Sequence, residues 1–373
     1  MPRAQAPARS EFARSLEPLR TFLSGRIEEG LVPGAVFAIG RAEGAPHVEA
    51  LGRRALEPRA ETMTPRTIFD LASLTKPMVT APLAAELAAE GTLGLDVSIG
   101  RYLEETVRTR IGAATLRSLL THTSGLPPMN PLEDYRGSKA RVYASIAREP
   151  LEAEPGRKVI YSDVGYMLAQ GVIERVTGTA LDRLARERIF TPLEFRDTRY
   201  GIRAADRPRV APTGRLHGDR GPWLRGRVHD PRARSKAMGG VAGNAGVFGT
   251  AQETARFCAM MLRGGRSGRR RILGPETVRL MTTNQCPPPV AARRGLGFDI
   301  ESPYSAPRGS LFSSESYGHT GYTGTSMWID PVNDAYFVLL TNSLHAGGHK
   351  DLKALRSGAG TLAALAMGIE ATP

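Results

Sequence analysis

The segment Phe69-Asp-Leu-Ala-Ser-Leu-Thr-Lys76 places a serine, Ser73, three residues before a lysine, Lys76, and leads into the helix-forming stretch Met78–Glu90. Residues three apart on a helix share a face, so the Ser73 hydroxyl and the Lys76 amine can meet. A serine hydroxyl becomes a good nucleophile beside a base, and a lysine with a lowered pKa can be that base. Because so short a pattern often arises by chance, a surface helix with an ordinary serine and lysine is the alternative.

The composition is that of an ordinary globular protein of 373 residues, of which 41% are hydrophobic and 23% charged. This length allows one large domain or two medium ones. Two cysteines, Cys258 and Cys286, provide no disulfide framework, which favours a reducing compartment. No run of about eighteen apolar residues is present, and Met1–Glu11 lacks the apolar core of a secretory signal. The sequence therefore predicts a cytoplasmic protein without a membrane span.

The formal net charge of +13 is a reason to consider nucleic-acid binding. Most of the basic residues are arginine, and the chain is also rich in Ala, Gly and Pro, a combination that a GC-rich coding sequence produces. The arginine-dense stretch Arg203–Arg234 also contains acids, and it lacks an aromatic-interleaved strand or zinc-finger spacing. We therefore expect no nucleic-acid partner.

Strand patterns lie near the two ends of the chain and helix patterns lie between them. Apolar residues typical of strands occur in Gly34–Gly40 and, after residue 290, in segments such as Ala335–Asn342. The turn Asp330–Asp334 predicts a hairpin. The middle is mainly helical, as in the amphipathic Ser162–Thr177, although residues 199–235 lack periodicity.

This distribution predicts an α/β (α+β) fold, in which an antiparallel sheet is built from both chain termini and flanked by helices, with a large, mainly helical domain inserted. Residues 11–72 and 290–370 are expected to form the sheet domain and residues 73–289 the helical domain, with the active site at their interface. The glycine-dense stretch Gly239–Gly249 predicts a close backbone approach near that site.

Three short motifs occur in the order Ser73-Leu-Thr-Lys76, Tyr161-Ser-Asp163 and His319-Thr-Gly321. Each is weak alone, since Tyr161 is more often a half-buried aromatic at a helix start and His319 a hydrogen-bonded strand residue. The ordered set, with flanks such as Leu119-Leu-Thr-His-Thr-Ser-Gly-Leu-Pro127, resembles the serine β-lactamase and penicillin-binding protein family, in particular its class C branch. That branch includes D,D-peptidases, D-amino-acid peptidases and bacterial esterases with an S-x-x-K serine.

The resemblance implies that Ser73 is the acylated nucleophile and that Lys76 and Tyr161 move its proton. Which of these two is the general base stays open. The backbone N–H groups of Ser73 and Tyr322 would form the oxyanion hole.

Four further positions in these motifs are the candidate substrate-binding residues. His319-Thr320-Gly321 stands where many relatives have Lys-Thr-Gly, so His319 would supply a weaker, pH-dependent positive field. Thr320 would hydrogen-bond a substrate carboxylate or carbonyl, and Gly321 would let the substrate lie against the strand. Asp163 replaces a common Asn, and because an ionised carboxylate cannot donate a hydrogen bond, it would instead pair with Lys76 and hold it protonated.

The remaining candidates are interpreted as structural. His122 lies in a helix-stop turn, and His345 and His349 have no third ligand in view, so neither a metal nor a cofactor is expected. G-x-S-x-G and H-E-x-x-H motifs are also missing from the sequence.

The sequence thus predicts a metal-free serine hydrolase that forms an acyl-Ser73 intermediate, with carboxylic esters as the favoured substrates. A D-specific peptidase, a D,D-carboxypeptidase or a weak β-lactamase is the alternative suggested by the His319 motif. A non-catalytic relative that binds through the same cleft is a third reading. The expected partner is a small-molecule ester or amide substrate, and no oligomeric state is predicted.

Overall fold

The computed structural model of the chain describes residues 9–216, 218 and 220–370. Residues 1–8, which make up most of the stretch inspected for a secretory signal, lie outside the described residues. The strands are β1 Gly34–Gly40, β2 His47–Ala55, β3 Glu61–Thr62, β4 Phe69–Asp70, β5 Arg199–Tyr200, β6 Val247–Gly249, β7 Arg266–Ser267, β8 Arg270–Arg271, β9 Arg293–Arg294, β10 Asp299–Glu301, β11 Tyr317–Thr320, β12 Ser326–Asp330 and β13 Ala335–Thr341. The α-helices are α1 Arg9–Ser15, α2 Glu17–Glu28, α3 Ala81–Ala89, α4 Leu116–Leu120, α5 Lys139–Ala147, α6 Asp163–Thr177, α7 Leu181–Ala185, α8 Ala251–Leu262, α9 Pro275–Thr282 and α10 Lys353–Ala366.

The main sheet joins the two ends of the chain. Among the described residues it has eight antiparallel strands in the order β3-β2-β1-β13-β12-β11-β10-β9. At its centre β1 pairs with β13, so that Phe37 lies opposite Leu339 although the two are far apart in sequence. The predicted hairpin is present, with Asp330 paired to Ala335 across the turn between β12 and β13. This architecture confirms the predicted fold class.

The two faces of the sheet are buried in different hydrophobic cores. Successive residues of a strand point to opposite faces. Accordingly Ala35, Phe37 and Ile39 of β1 belong to the core formed with α2 and α10, and Val36 and Ala38 belong to the core that includes α8 and the helical middle of the chain. Burial on both faces explains why these strands are continuously apolar rather than alternating.

The helix boundaries follow local signals in the sequence. Ser162 caps α6 by accepting a hydrogen bond from the Gly165 N–H, and Gly178 ends the helix with φ of 63°. At the N-terminal end of the described chain, α1 and α2 are separated at Leu16, and Pro18 lies in the first turn of α2. Proline fits there because the first-turn N–H groups have no intrahelical acceptor.

Within residues 9–216, 218 and 220–370, none of the helices combines the length and the apolar character needed to cross a bilayer. The proposed division into a sheet domain and a helical domain stays a prediction, and α8, from the middle of the chain, packs directly on β1 and β13.

Candidate active site

Ser73 lies on a tight turn rather than in the first turn of a continuous α-helix. A 3₁₀ turn over Ala72–Leu74 follows β4, and a single π-helical turn over Lys76–Thr80 leads into α3. Ala72 has φ of 49°, a left-handed conformation that costs energy for a residue with a side chain. Asp70 supports this turn because its Oδ1 accepts a 2.9 Å hydrogen bond from the Ala72 N–H. Burial raises the pKa of Asp70 to about 6.

The Lys76 ammonium is fully buried and has an acceptor for each of its three hydrogens. Its Nζ lies 2.9 Å from Ser73 Oγ, 2.6 Å from Asp163 Oδ1 and 3.2 Å from the backbone oxygen of Asn244. Burial alone would lower the pKa of Lys76, but the Asp163 carboxylate and the Tyr161 hydroxyl raise it above its ordinary value. Lys76 is therefore a charged group in the resting site.

The ring of Tyr161 packs against the Lys76 ammonium. Lys76 Nζ lies 4.8 Å from the centre of the Tyr161 ring, within the range of a cation–π contact. Burial raises the pKa of Tyr161, and the nearby Lys76 charge and Ser73 hydroxyl offset part of that rise. The three side chains Ser73, Lys76 and Tyr161, from two motifs far apart in sequence, thus lie together.

Asp163 is the first residue of α6, so its carboxylate sits at the positive end of the helix dipole. The side chain is 21% exposed, whereas its ion-pair partner Lys76 is completely buried. The carboxylate therefore takes the place next to Lys76 from which an asparagine amide could have donated to a substrate carbonyl.

A second carboxylate fixes the backbone segment that contacts Lys76. Asp230 Oδ2 accepts a 3.0 Å hydrogen bond from Asn244 Nδ2, while its Oδ1 accepts from the N–H groups of Arg232 and Ala233. Burial, together with the nearby charge of Asp163, raises the pKa of Asp230. Asn244 belongs to the glycine-dense stretch, whose close backbone approach the sequence predicted.

The strand β11 carries His319 and Thr320 along the cavity. His319 Nδ1 lies 2.7 Å from the Thr320 oxygen, and since a carbonyl only accepts, Nδ1 carries the hydrogen. Burial first, and then the positive charges of Lys76 and Arg294, lower the pKa of His319 well below its ordinary value. His319 is therefore a neutral imidazole near pH 7, which differs from the pH-dependent positive field expected from the sequence.

Gly321 allows β11 to approach the turn that carries Ser73. A Cβ atom at Gly321 would lie 2.7 Å from the Leu71 oxygen and 2.1 Å from Thr325 Oγ1. The hydroxyls of Thr323 and Thr325 donate to the oxygens of Asp70 and Leu71 at 2.7 and 3.1 Å, which ties the two segments together.

Tyr322 follows at the mouth of the site. Its side chain is 55% exposed and stacks between the rings of His229 and His349 at centroid distances of 5.7 and 4.6 Å. His345, the other histidine of the sequence pair, instead accepts the Leu56 N–H at Nε2, 2.9 Å away.

A cavity of about 760 Å³ connects these groups. Its lining contains the motif residues Ser73, Tyr161, Asp163, His319, Thr320, Gly321 and Tyr322. It also contains residues for which the sequence analysis gave no role, namely Asp230, Arg294, Asp299, Tyr304 and Arg356. No short motif in the sequence marks these last positions.

The chain matches a known protein family over most of its length. The Beta-lactamase family model matches residues 19–360. A relative named "Putative D-alanyl-D-alanine carboxypeptidase" from Escherichia coli (strain K12) is 36% identical over 313 residues, which cover 76% of this chain and 70% of the relative.

Two solved structures share the fold. A penicillin-binding protein homologue from Caulobacter crescentus has a TM-score of 0.74 at 21% identity, covering 97% of this chain and 99% of that one. A family VIII carboxylesterase has a TM-score of 0.73 at 20% identity, with coverage of 97% and 99%. From the family match and the identity to the Escherichia coli relative, we conclude that the chain belongs to the beta-lactamase family of serine hydrolases.

Proposed function

We propose that the chain hydrolyses carboxylic esters of small acids through an acyl-Ser73 intermediate. Family membership makes it a serine hydrolase of the β-lactamase and penicillin-binding type. The observation that carries the finer proposal is the contact of Lys76 Nζ with both Ser73 Oγ and Asp163 Oδ1, at 2.9 and 2.6 Å. A location in the cytoplasm stays a prediction.

In the fraction of molecules in which the pair formed by Lys76 and Tyr161 has lost one proton, Ser73 Oγ attacks the ester carbonyl and its hydroxyl proton passes to that pair. The N–H groups of Ser73 and Tyr322 would stabilise the oxyanion. The tetrahedral intermediate then expels the alcohol, which takes a proton from the same pair. Water attacks the acyl-Ser73 ester with the same proton transfers and releases the acid.

The electrostatics of the pair favour esters over amides. The pKa values of Lys76 and Tyr161 are both raised, so each group gives up its proton less readily and is a weak general acid for the leaving group. An alkoxide is a weaker base than an amine anion, so its departure demands less from the general acid. Asp163 also provides no amide donor for a peptide or β-lactam carbonyl.

The test compares Ser73→Ala with Ser310→Ala in the hydrolysis of p-nitrophenyl butyrate, since Ser310 is an exposed serine that contacts Thr361 of α10 and lies outside the cavity lining. Turnover should disappear in Ser73→Ala and persist in the control, and a fluorophosphonate should add to the wild type but not to Ser73→Ala, as read by intact mass. Equal turnover in Ser73→Ala and wild type, with circular dichroism showing both folded, would exclude the proposal.

A D-specific carboxypeptidase is the second candidate, favoured by the name of the Escherichia coli relative and by Arg356. This guanidinium lines the cavity, and its Nη2 donates to the oxygens of Gly321 and Thr325. Burial lowers the pKa of Arg356 to about 10, and within the described residues it forms no ion pair with a carboxylate. A substrate C-terminal carboxylate would supply the missing negative charge.

These candidates are separated by assaying one neutral ester and one D-Ala-D-Ala peptide with the wild type and with Arg356→Leu. An esterase should cleave the ester far faster than the peptide, and Arg356→Leu should change the two rates by a similar factor. Faster cleavage of the peptide, lost in Arg356→Leu, would establish the carboxypeptidase instead.

A further inference from the structure

His122 occupies an unusual position directly beside Tyr161. It follows α4 with φ of 61°, in the left-handed region, and its side chain is fully buried. The ring lies between two tyrosines, 4.3 Å from the centre of Tyr161 and 5.0 Å from that of Tyr166. Tyr166 is itself fixed, because its hydroxyl donates to the Leu120 oxygen at 2.7 Å.

His122 makes three contacts that fix the position of Tyr161. Its backbone oxygen accepts the Ile160 N–H at 2.8 Å, and its Nδ1 accepts the Ser162 N–H at 3.0 Å. Both neighbours of Tyr161 in the chain are therefore bound to one residue, whose ring also packs against the phenol at an angle of 32°.

These contacts require a neutral imidazole. Since Nδ1 accepts a hydrogen bond, the ring hydrogen is on Nε2, and a second proton on Nδ1 would remove the acceptor for Ser162. Burial first, and then the positive charges of Arg294 and Lys76, lower the pKa of His122 well below its ordinary value.

A histidine at this position is costly for the fold. Its Nε2 is buried with no hydrogen-bond partner among the described residues, and an unpaired buried donor destabilises the folded state. The left-handed backbone would also suit glycine or asparagine better. A residue kept for stability alone would not combine these two costs, which points to a role in the chemistry.

We propose that His122 is a positioning residue for the reaction at Ser73, which fixes the orientation of the Tyr161 phenol and keeps water away from it. This inference rests on the proposed function, because His122 acts only through Tyr161.

The test uses His122→Asn, because asparagine tolerates the left-handed backbone and its Oδ1 can replace Nδ1 as the acceptor for Ser162, while the ring is lost. His345→Gln is the matched control. His345 is a buried histidine that also accepts a backbone N–H, and it lies outside the cavity lining. We expect kcat for p-nitrophenyl butyrate to fall on the order of 100-fold in His122→Asn, with KM and the urea unfolding midpoint close to wild type, and no such change in His345→Gln.

The second readout does not depend on turnover. The ionisation of Tyr161 is followed by ultraviolet absorbance, as the difference between each protein and its Tyr161→Phe form. Since burial raises the pKa of Tyr161, water entering the space of the lost ring should lower that pKa in His122→Asn.

An unchanged kcat together with an unchanged Tyr161 ionisation in His122→Asn would overturn the inference. A loss of kcat in His122→Asn that is fully accounted for by a lower urea unfolding midpoint would also overturn it. If the wild type cleaves no ester but the pKa of Tyr161 is still lower in His122→Asn than in the wild type, the proposed function is overturned and the contact of His122 with Tyr161 remains supported.

Discussion

The carboxylate of Asp163 and the ammonium of Lys76 form a 2.6 Å ion pair in which the lysine is fully buried and the aspartate is 21% exposed. The pair joins the start of α6 to the turn that carries the nucleophile. Removing the Asp163 carboxylate would leave the buried Lys76 charge without a partner. The pKa of Lys76 therefore depends on which residue occupies position 163.

Asp163→Asn should shift the pH dependence of the reaction downwards. Asp163 raises the pKa of Lys76, so its neutralisation lowers that pKa and enlarges the deprotonated fraction at any given pH. The rising limb of kcat/KM for p-nitrophenyl butyrate should therefore move to lower pH. The control is Asp182→Asn, an exposed acid on α7, and an unmoved or upward-moving limb in Asp163→Asn would contradict the prediction.

His319 should contribute no ionisation step to the activity between about pH 6 and pH 8. Any break in the wild-type pH profile of kcat/KM near the ordinary histidine value of about 6.5 should come from a group other than His319, because burial and the nearby cations hold His319 neutral. His319→Gln should accordingly keep the shape of the profile, whatever its effect on the absolute rate. A wild-type break in that range that disappears in the variant would show that His319 titrates there.

The buried pair of Arg294 and Asp299 should contribute asymmetrically to stability. Their side chains are 1% and 4% exposed and 3.0 Å apart, and Asp299 also accepts from the hydroxyls of Ser302 and Ser305. Asp299→Leu leaves the guanidinium alone and should cost about 3–5 kcal/mol, whereas Arg294→Met leaves the carboxylate with two donors and should cost less. Urea unfolding midpoints measure the order, and the reverse order would disprove it.

Gly321→Ala should damage the site through the backbone. The added methyl would lie 2.7 Å from the Leu71 oxygen, so β11 must move away from the turn that carries Ser73. A displacement of reacting groups by about 1 Å can cost on the order of 100-fold, which kcat/KM for the ester would reveal. Gly25→Ala, in α2 with open space around the new methyl, should leave the activity intact, and equal behaviour of the two variants would refute the steric argument.

The sequence was informative where the cause is local. The i,i+3 spacing of Ser73 and Lys76 anticipated their contact, the cap signals at Ser162 and Gly178 bounded α6, and the apolar segments at the two ends of the chain predicted the fold class. The catalytic roles of the motif residues stay predictions, although the fold brings their side chains together.

Other features depend on contacts between distant segments, and no local pattern encodes them. The backbone oxygen of Asn244 reaches Lys76 across 168 residues, and Arg356 arrives from the last helix. The left-handed conformation of Ala72 is imposed by Asp70 and β6 rather than by its own preference. The ring contact between His122 and Tyr161 also arises only when α4 packs on α6.

The three acceptors of Lys76 come from its own turn, from α6 and from the glycine-dense segment before α8. A nascent or partly unfolded chain lacks at least one of them, so its serine should be as inert as any free alcohol. Labelling by a fluorophosphonate during refolding would then report only the molecules whose site is fully assembled. The serine of an incompletely folded chain would be protected from acylation.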